Sequence, residues 1–262
     1  MKVSIIITTY NNPSALQKVL DGILFQTVAP YEIIVADDGS GNDTAAIVKN
    51  FSAIAPFPVI HVWQEDKGFR VAKIRNLAIQ RANSGYLIIM DGDCVPNKHL
   101  VYDHIALAEK GIFVQGKRIM VNKHASELFT NETASSFPQI IRLFFSHSLS
   151  NRHHLLRIPS FPALRNVKLK GIKACNMGFW KYDLIAVNGF NEDFVGWGRE
   201  DSELAVRLFK YGLKKKVHPF MAICFHLWHP AHPRHTLQIN DTILEKTIKD
   251  KDYFCPNGIV KK

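Results

Sequence analysis

The sequence has few cysteines, and none lies close to another. Only four occur among 262 residues, at positions 94, 175, 224 and 255, without a CxxC pair. Neither a disulfide framework nor a zinc finger has this spacing. We therefore expect buried, neutral thiols of the kind kept reduced in a cytosol.

Long apolar runs are also missing. No window holds about 20 consecutive apolar residues, so no membrane-spanning helix is predicted. The first apolar run, VSIIITT (3–9), is too short and too β-branched for a signal peptide and predicts a buried strand. Because 47% of the residues are hydrophobic, the chain is expected to be globular, as one large domain or a domain with a subdomain.

Acidic residues are in the minority, with 23 against 33 lysines and arginines, and the net charge is +10. Such a balance suits nucleic acid, an anionic membrane face or phosphorylated small molecules. A nucleic-acid-binding protein would cluster its cations on one face. Here the cations are spread along the chain, so no nucleic-acid partner is predicted.

The first half alternates strand and helix patterns. Strands are predicted at 3–9, 31–40, 58–64, 85–93 and 111–116, and helices at 13–26, 43–51, 70–82 and about 97–109. Apolar strands joined by helices predict a mostly parallel sheet that is covered on both faces. Ligands bind such sheets beyond the carboxyl ends of the strands.

Three polar clusters fall at those strand ends. They are Thr9-Tyr10-Asn11, Asp37-Asp38-Gly39-Ser40 and Asp91-Gly92-Asp93. Gly92 allows a tight turn, so both neighbouring carboxylates can face one Mg²⁺ or Mn²⁺ ion. The alternative is a turn in which one aspartate caps the next helix. The neighbouring clusters favour the metal site.

Two further groups extend this predicted site. Asp38 is suited to accept hydrogen bonds from a base or a ribose, while Asp37 is expected to hold an Asx turn. Arg70 and Lys73 share one helix face, and Arg75 points away from it. The alternative is a solvated basic face, but the position at the strand edge favours Arg70 and Lys73 as phosphate ligands.

The segment GWGREDSE (196–203) places a tryptophan between two glycines, next to acids. The attraction between acids and a helix N-terminus accounts for the acids alone. An indole presented by a flexible turn is a platform for a sugar ring, and an adjacent carboxylate can accept a proton from a hydroxyl.

The second half is less regular. IIRLFF (140–145) is an apolar patch, 152–170 is expected to be a long loop, and 202–212 predicts a helix. These patterns divide the chain into an α/β half (1–116), a second half (117–230) of the same domain, and a basic tail (231–262).

Five motifs in order resemble family 2 glycosyltransferases of the GT-A fold. They are SIIITTYNN (4–12), DDGS (37–40), DKGFRVAKIRN (66–76), DGDC (91–94) and GWGREDSE. The last also resembles the acceptor segment of β-1,4-galactosyltransferases and bacterial chondroitin polymerases. The resemblance covers most of residues 1–230 and implies an α/β nucleotide-binding sheet flanked by helices, with a smaller acceptor-binding C-terminal portion.

The resemblance also implies roles for individual residues. The nucleotide and its diphosphate would be surrounded by Thr9, Tyr10, Asn11, Asp38, Asp66, Arg70 and Lys73. Asp93, with Asp91 and Gly92, would form the DxD metal site, completed by His226 or, as second choice, His229. Trp197, Gly198 and Asn176 would contact sugars, Asp201 would be the general base, and Glu200 would bind hydroxyls.

The implied activity is an inverting transfer of a hexose or N-acetylhexosamine, dependent on Mn²⁺ or Mg²⁺. The implied donor is a UDP-sugar. The implied acceptor is a growing bacterial surface glycan, such as lipooligosaccharide, capsule or O-antigen. The enzyme would be cytoplasmic, with the basic surface and IIRLFF suiting loose contact with an anionic inner leaflet.

A nucleotidyltransferase would carry a glycine-rich phosphate loop where this chain has TTYNNPSA. An inactive relative would have lost the DxD or the Glu-Asp pair, and both are present.

Overall fold

An eight-stranded sheet forms the centre of the computed structural model, which describes residues 1–261. In spatial order the strands are β3 (Val59–Trp63), β2 (Glu32–Asp37), β1 (Val3–Thr9), β4 (Tyr86–Asp91), β10 (Asn176–Trp180), β6 (Ile112–Gln115), β11 (Lys214–Val217) and β9 (Leu164–Asn166). The first four are parallel, as their apolar patterns predict. β10 is antiparallel to both of its neighbours.

Helices cover both faces of this sheet. They are α1 (Pro13–Leu24), α2 (Asn42–Ile54), α3 (Val71–Arg81), α4 (Leu100–Leu107), α5 (Lys123–Leu128), α6 (Asn131–Ser135), α7 (Phe137–Phe145), α8 (Lys181–Ala186), α9 (Glu200–Lys210) and α10 (Leu237–Lys249). Alternate residues of β1 point to opposite faces. Ile5 packs in the core beneath α1 and α2, and Ile6 in the core beneath α3 and α9.

The register of β1 aligns the three strand ends that carry the polar clusters. Thr9 lies opposite Asp37 of β2, and Thr8 lies opposite Asp91 of β4. The strand order reverses at β1, because β2 and β3 lie on one side of it and β4 lies on the other, and a crevice opens at this point.

A second, four-stranded sheet lies beyond the DGD turn. It contains β5 (Cys94–Pro96), β12 (Ile223–His226), β7 (Lys117–Val121) and β8 (Leu149–Ser150), in that order. β5 and β12 are antiparallel, with His226 opposite Cys94. This pairing brings the end of β12 to Asp93, over a separation of more than a hundred residues.

The structure corrects two expectations about the second half. Residues 231–262 are not a simple tail, because α10 packs on α9 and the buried Asn240 donates a hydrogen bond to the carbonyl oxygen of Gly198 at 2.9 Å. Residues 152–170 are not entirely a loop, since β9 pairs with β11.

The two main halves share one sheet through β10. Within residues 1–261, no helix has the length and apolarity needed to cross a bilayer.

Candidate active site

Two clefts meet at the carboxyl ends of β1, β2 and β4. The first has a volume of about 350 Å³ and the second about 340 Å³. The residues common to both walls are Arg75, Asp91, Arg118, Trp197 and Glu200. The first cleft is also lined by Thr8, Thr9, Tyr10, Asn11, Asn12, Asp38, Phe69, Val71, Gly92, Asp93, His226, His229, Pro230 and His232.

Gly92 allows the DGD turn to lie directly on β1. Its N–H donates to the carbonyl oxygen of Thr8 at 2.7 Å. A Cβ atom at this position would lie 3.0 Å from that oxygen and from Thr9 Cβ. A larger residue would therefore push Asp91 and Asp93 away from the strand end.

The two aspartates at the end of β2 have different surroundings. Asp37 accepts hydrogen bonds from Ser40 N–H at 2.8 Å and from His61 at 3.0 Å. Burial raises the pKa of Asp37, but these hydrogen bonds bring it below its ordinary value. Asp37 therefore holds the turn. Asp38 lines the first cleft, where burial raises its pKa, and accepts hydrogen bonds from Gln64 and from the Arg70 N–H.

Three residues predicted at the donor site lie outside both clefts. Lys73 is exposed on α3, and the Arg70 guanidinium donates to the carbonyl oxygen of Glu65. Asp66 is exposed and accepts a hydrogen bond from the Tyr10 hydroxyl at 2.9 Å, so it touches the cleft only through Tyr10. The side chains of Arg70 and Lys73 therefore do not line either cleft.

Arg75, by contrast, lines both clefts. It projects from the buried face of α3, and its guanidinium lies 3.0 Å from Asp91 Oδ1 and 3.1 Å from Glu200 Oε1. Its Nε also donates to Thr8 Oγ1 at 3.2 Å. The sequence carried a signal for this role, because a cation on the apolar face of a helix needs buried anionic partners.

Asp93 lies beside two histidines. The distance from Asp93 to Nε2 is 3.6 Å for His226 and 3.3 Å for His229. Candidate ligand atoms of the three residues all lie within 4.8 Å of one another. The structure thus brings both candidate histidines to Asp93, whereas Asp91 faces Arg75 and lies outside this group.

The donor set of this group fits a divalent ion such as Mn²⁺. One carboxylate and two imidazoles supply oxygen and nitrogen ligands. The Nδ1 atom of His226 is buried and has no hydrogen-bond partner within residues 1–261. The ring is therefore not held by a protein acceptor on that side.

The GWG turn presents Trp197 where the clefts meet. Gly196, Gly198 and Arg199 have φ values of 77°, 103° and 81°, in the left-handed region that suits glycine. Trp197 remains 37% exposed, and the Arg234 guanidinium lies 5.0 Å from its ring centroid. One face of the indole is therefore engaged by a cation.

Glu200 and Asp201 begin α9 but face different partners. Glu200 pairs with Arg75 and lines both clefts, whereas Asp201 lines only the second. Asp201 accepts hydrogen bonds from Ser202 N–H at 2.6 Å and Ala174 N–H at 3.3 Å. Burial, followed by the nearby charge of Glu200, raises the pKa of Asp201 to about 6.

Asn176 does not contact either cleft, contrary to its predicted role at the acceptor. Its side chain is fully buried and bonds His104 Nε2 at 2.8 Å. Its amide also donates to the carbonyl oxygens of Lys117 and Ala222, at 3.2 and 2.8 Å. Asn176 therefore joins the two sheets, and its hydrogen-bonding capacity is occupied.

Besides Arg75, sequence reasoning missed Arg118 and His232, which line the first cleft. Arg118, at the start of β7, lines both clefts and carries no recognisable local motif. His232 continues a row in which ring centroids lie 5.2 Å apart from His226 to His229 and 5.0 Å apart from His229 to His232. The regular spacing of three residues was the only sequence signal for His232.

Comparisons with known families agree with this architecture. The family described as Glycosyl transferase family 2 matches residues 4–170, and the N-terminal domain of galactosyltransferase matches residues 162–230. The first match extends over more than half of the described sequence, and the chain belongs to glycosyl transferase family 2.

Several curated proteins are similar to most of this chain. Chondroitin synthase of Escherichia coli is 30% identical over 224 residues, which are 80% of this chain and 32% of that protein. Hyaluronan synthase of Pasteurella multocida is 29% identical over 224 residues, covering 80% and 23%. Validoxylamine A glucosyltransferase of Streptomyces hygroscopicus subsp. limoneus is 27% identical over 234 residues, covering 82% and 49%. The chain spans less than half the length of each.

Solved structures share the GT-A fold. A mannosyltransferase from Pyrobaculum calidifontis, in complex with GDP-Man and Mn²⁺, has a TM-score of 0.63 at 19% identity, covering 95% of this chain and 64% of that one. S. aureus TarS 1–349, in complex with UDP, has a TM-score of 0.63 at 17% identity, with coverages of 95% and 64%. At these identities the likeness concerns the fold.

Proposed function

We propose that this chain transfers a hexose or N-acetylhexosamine from a UDP-sugar to a hydroxyl group of a growing glycan. The observation that carries the proposal is the meeting of two clefts at Trp197 and Glu200, with Asp201 in the second alone. The nucleotide sugar would occupy the first cleft and the acceptor the second, with the sugar to be transferred beside Trp197.

In the proposed reaction, Asp201 accepts the proton of the acceptor hydroxyl. That oxygen bonds to the anomeric carbon while the bond from this carbon to the diphosphate breaks, which inverts its configuration. A pKa of about 6 suits this role, because the carboxylate is mostly ionised near pH 7 yet is more basic than an ordinary aspartate. Its position outside the first cleft separates the base from the leaving group.

Asp93, His226 and His229 would hold the divalent ion, and the two imidazoles favour Mn²⁺ over Mg²⁺. When bound, the ion would offset the charge that develops on the leaving diphosphate. Arg118 would face the same phosphates from β7, since a guanidinium binds phosphate oxygens with two parallel donors.

A donor panel tests this function. We would measure the thermal shift with UDP-sugars and GDP-sugars, each with Mn²⁺ and with chelator, and then detect transfer by mass spectrometry. We expect stabilisation by a UDP-sugar that depends on the metal, followed by release of UDP. Release of diphosphate from a nucleoside triphosphate would instead favour a nucleotidyltransferase. Donor binding without turnover on any glycan would favour an inactive relative.

We also propose that the acceptor is a bacterial surface glycan and that the enzyme meets it at the inner face of the cytoplasmic membrane. The support is an exposed apolar surface on α7 and the segment after it, where Phe137, Phe145 and Phe161 are 69%, 77% and 45% exposed. Arg142 is exposed on the same helix. Apolar side chains next to a cation suit an anionic leaflet.

Vesicle flotation tests the membrane contact. Phe145→Ser should lower the fraction that floats with phosphatidylglycerol vesicles. The control Ile54→Ser changes an apolar residue that is 66% exposed on α2 and should leave flotation unchanged. Equal flotation with phosphatidylcholine vesicles, or an equal loss in both variants, would contradict this contact.

A further inference from the structure

Three of the four cysteines meet in the fold, although 81 and 49 positions separate them in the sequence (175 − 94 and 224 − 175). Cys94 is the first residue of β5, Cys175 directly precedes β10, and Cys224 lies in β12. All three are buried and reduced; the Cys94 thiol donates to Asp93 Oδ1 and the Cys224 thiol to the carbonyl oxygen of Lys117, each at 3.4 Å. The fourth, Cys255, lies in the C-terminal segment beside Asn188.

Two of these thiols also lie close to a carboxylate. The Sγ atoms of Cys94 and Cys175 and a carboxylate oxygen of Asp91 are all within 4.8 Å of one another. A tetrahedral zinc ion with Zn–S bonds of about 2.3 Å holds its two sulfur ligands about 3.8 Å apart. A small rotation of the side chains would therefore bring all three ligands to one ion.

The surroundings of these three residues are open to solvent and contain a positive charge. Asp91 and Cys175 line the second cleft, so an ion can enter from solvent. Arg118 lines the same cleft as Asp91 and Cys175. One divalent ion with two thiolates and one carboxylate carries a net charge of −1, which the guanidinium offsets.

We propose that Asp91, Cys94 and Cys175 form a second metal site, which binds a thiophilic divalent ion such as Zn²⁺ or Cd²⁺. Binding releases both thiol protons to solvent and forms two metal–sulfur bonds and one metal–oxygen bond. Thiolates select soft ions, whereas the oxygen and nitrogen ligands of Asp93, His226 and His229 suit Mn²⁺. The chain thus carries two adjacent sites of different chemical preference.

Occupation of the thiol site would inhibit sugar transfer, an effect that rests on the proposed function. Asp91 Oδ1 lies 3.0 Å from Arg75 and its carboxylate lines the first cleft. An ion bound between Asp91 and the thiols would draw this carboxylate away from Arg75 and alter the donor cleft. Zn²⁺ would then inhibit even at saturating Mn²⁺.

Cadmium titration of the reduced, metal-free protein tests the site independently of activity. We expect one equivalent of Cd²⁺ to produce a thiolate-to-cadmium charge-transfer band. Because even partners outside the ligand shell are worth about 10–100-fold in metal affinity, Cys94→Ser and Cys175→Ser should each weaken binding by at least about tenfold. The control Cys255→Ser removes another buried thiol and should keep the band.

¹¹³Cd NMR of the wild-type protein counts the sulfur ligands even if a variant fails to fold. A resonance typical of two sulfur ligands supports the site, and one typical of oxygen and nitrogen ligands alone overturns it. A band that survives in both serine variants also overturns it. If the band forms but transfer is not detected with any donor, the metal site stands and the proposed function fails.

Discussion

The two clefts share five residues but are built in different ways. The acids of the first stand at the ends of neighbouring parallel strands, where the register alone brings them together. The second depends on a turn in which three of four successive residues (Gly196, Gly198 and Arg199) have positive φ, held by Asn240 from α10. A site at strand ends is therefore visible in a sequence, whereas a site on a turn depends on distant segments that hold it.

The largest expected effect is a loss of catalysis in the second cleft that leaves donor binding in the first cleft unchanged. Asp201→Asn removes the proposed base and should lower kcat by about 10²–10⁴-fold, the usual worth of such a group. Donor affinity, measured by calorimetry with Mn²⁺, should remain within about twofold because Asp201 lies outside the first cleft.

A matched control for this variant is Asp43→Asn. Asp43 is also an acid in the first turn of a helix, α2, but it is exposed and lies outside both clefts. It should keep full activity. If Asp201→Asn instead lost donor affinity while keeping kcat, Asp201 would be a binding residue.

Arg75 joins the two clefts, so its removal should affect folding as well as activity. Breaking a buried ion pair costs about 3–5 kcal/mol. Because the Asp91 side chain is 33% exposed, solvent screens part of that loss. We expect Arg75→Ala to lower the free energy of unfolding by about 2–3 kcal/mol in a denaturant titration. Arg81→Ala, an exposed position on the same helix, should change it by less than about 0.5 kcal/mol.

Removal of a candidate metal ligand, His226 or His229, should affect binding in the first cleft and leave the second cleft unchanged. His226→Ala and His229→Ala should each raise the Mn²⁺ concentration needed for half-maximal activity by about 10–100-fold. The second cleft should be unaffected, so acceptor KM at saturating Mn²⁺ should stay constant. The control His124→Ala changes an exposed histidine on α5. A shift in only one of the two site variants would show that the other histidine is not a ligand.

The pH dependence gives the smallest effect. Protonated Asp201 cannot act as a base, so its raised pKa predicts that kcat falls as pH drops through about 6. Below that point the loss should be about tenfold per pH unit. The measurement is kcat at saturating Mn²⁺, donor and acceptor. A flat profile between pH 5 and 7 (roughly one unit on either side of the apparent pKa) would exclude Asp201 as the group that limits the rate.

Much of the first cleft was predictable because its determinants are local. Apolar runs of strand length alternate with helical patterns, and the structure has β1–β4 and α1–α3 within a few residues of the predicted bounds. The position of Arg75 in the cleft was not predictable, for a physical reason. Periodicity shows that Arg70 and Arg75 face opposite ways, but it does not show which face of α3 meets Asp91 and Glu200.

The sequence by itself determined the parallel sheet, the acids at its strand ends and the paired glycines around Trp197. Only the tertiary structure decided that Arg75 and Arg118 line both clefts, that His226 and His229 both reach Asp93, and that Asn176 is buried. It also decided that Cys94, Cys175 and Cys224 meet. Strand and helix patterns encode contacts between near neighbours, whereas these contacts join segments tens to hundreds of residues apart. The distant contacts are created by the register between β5 and β12 and by the insertion of β10 into the main sheet.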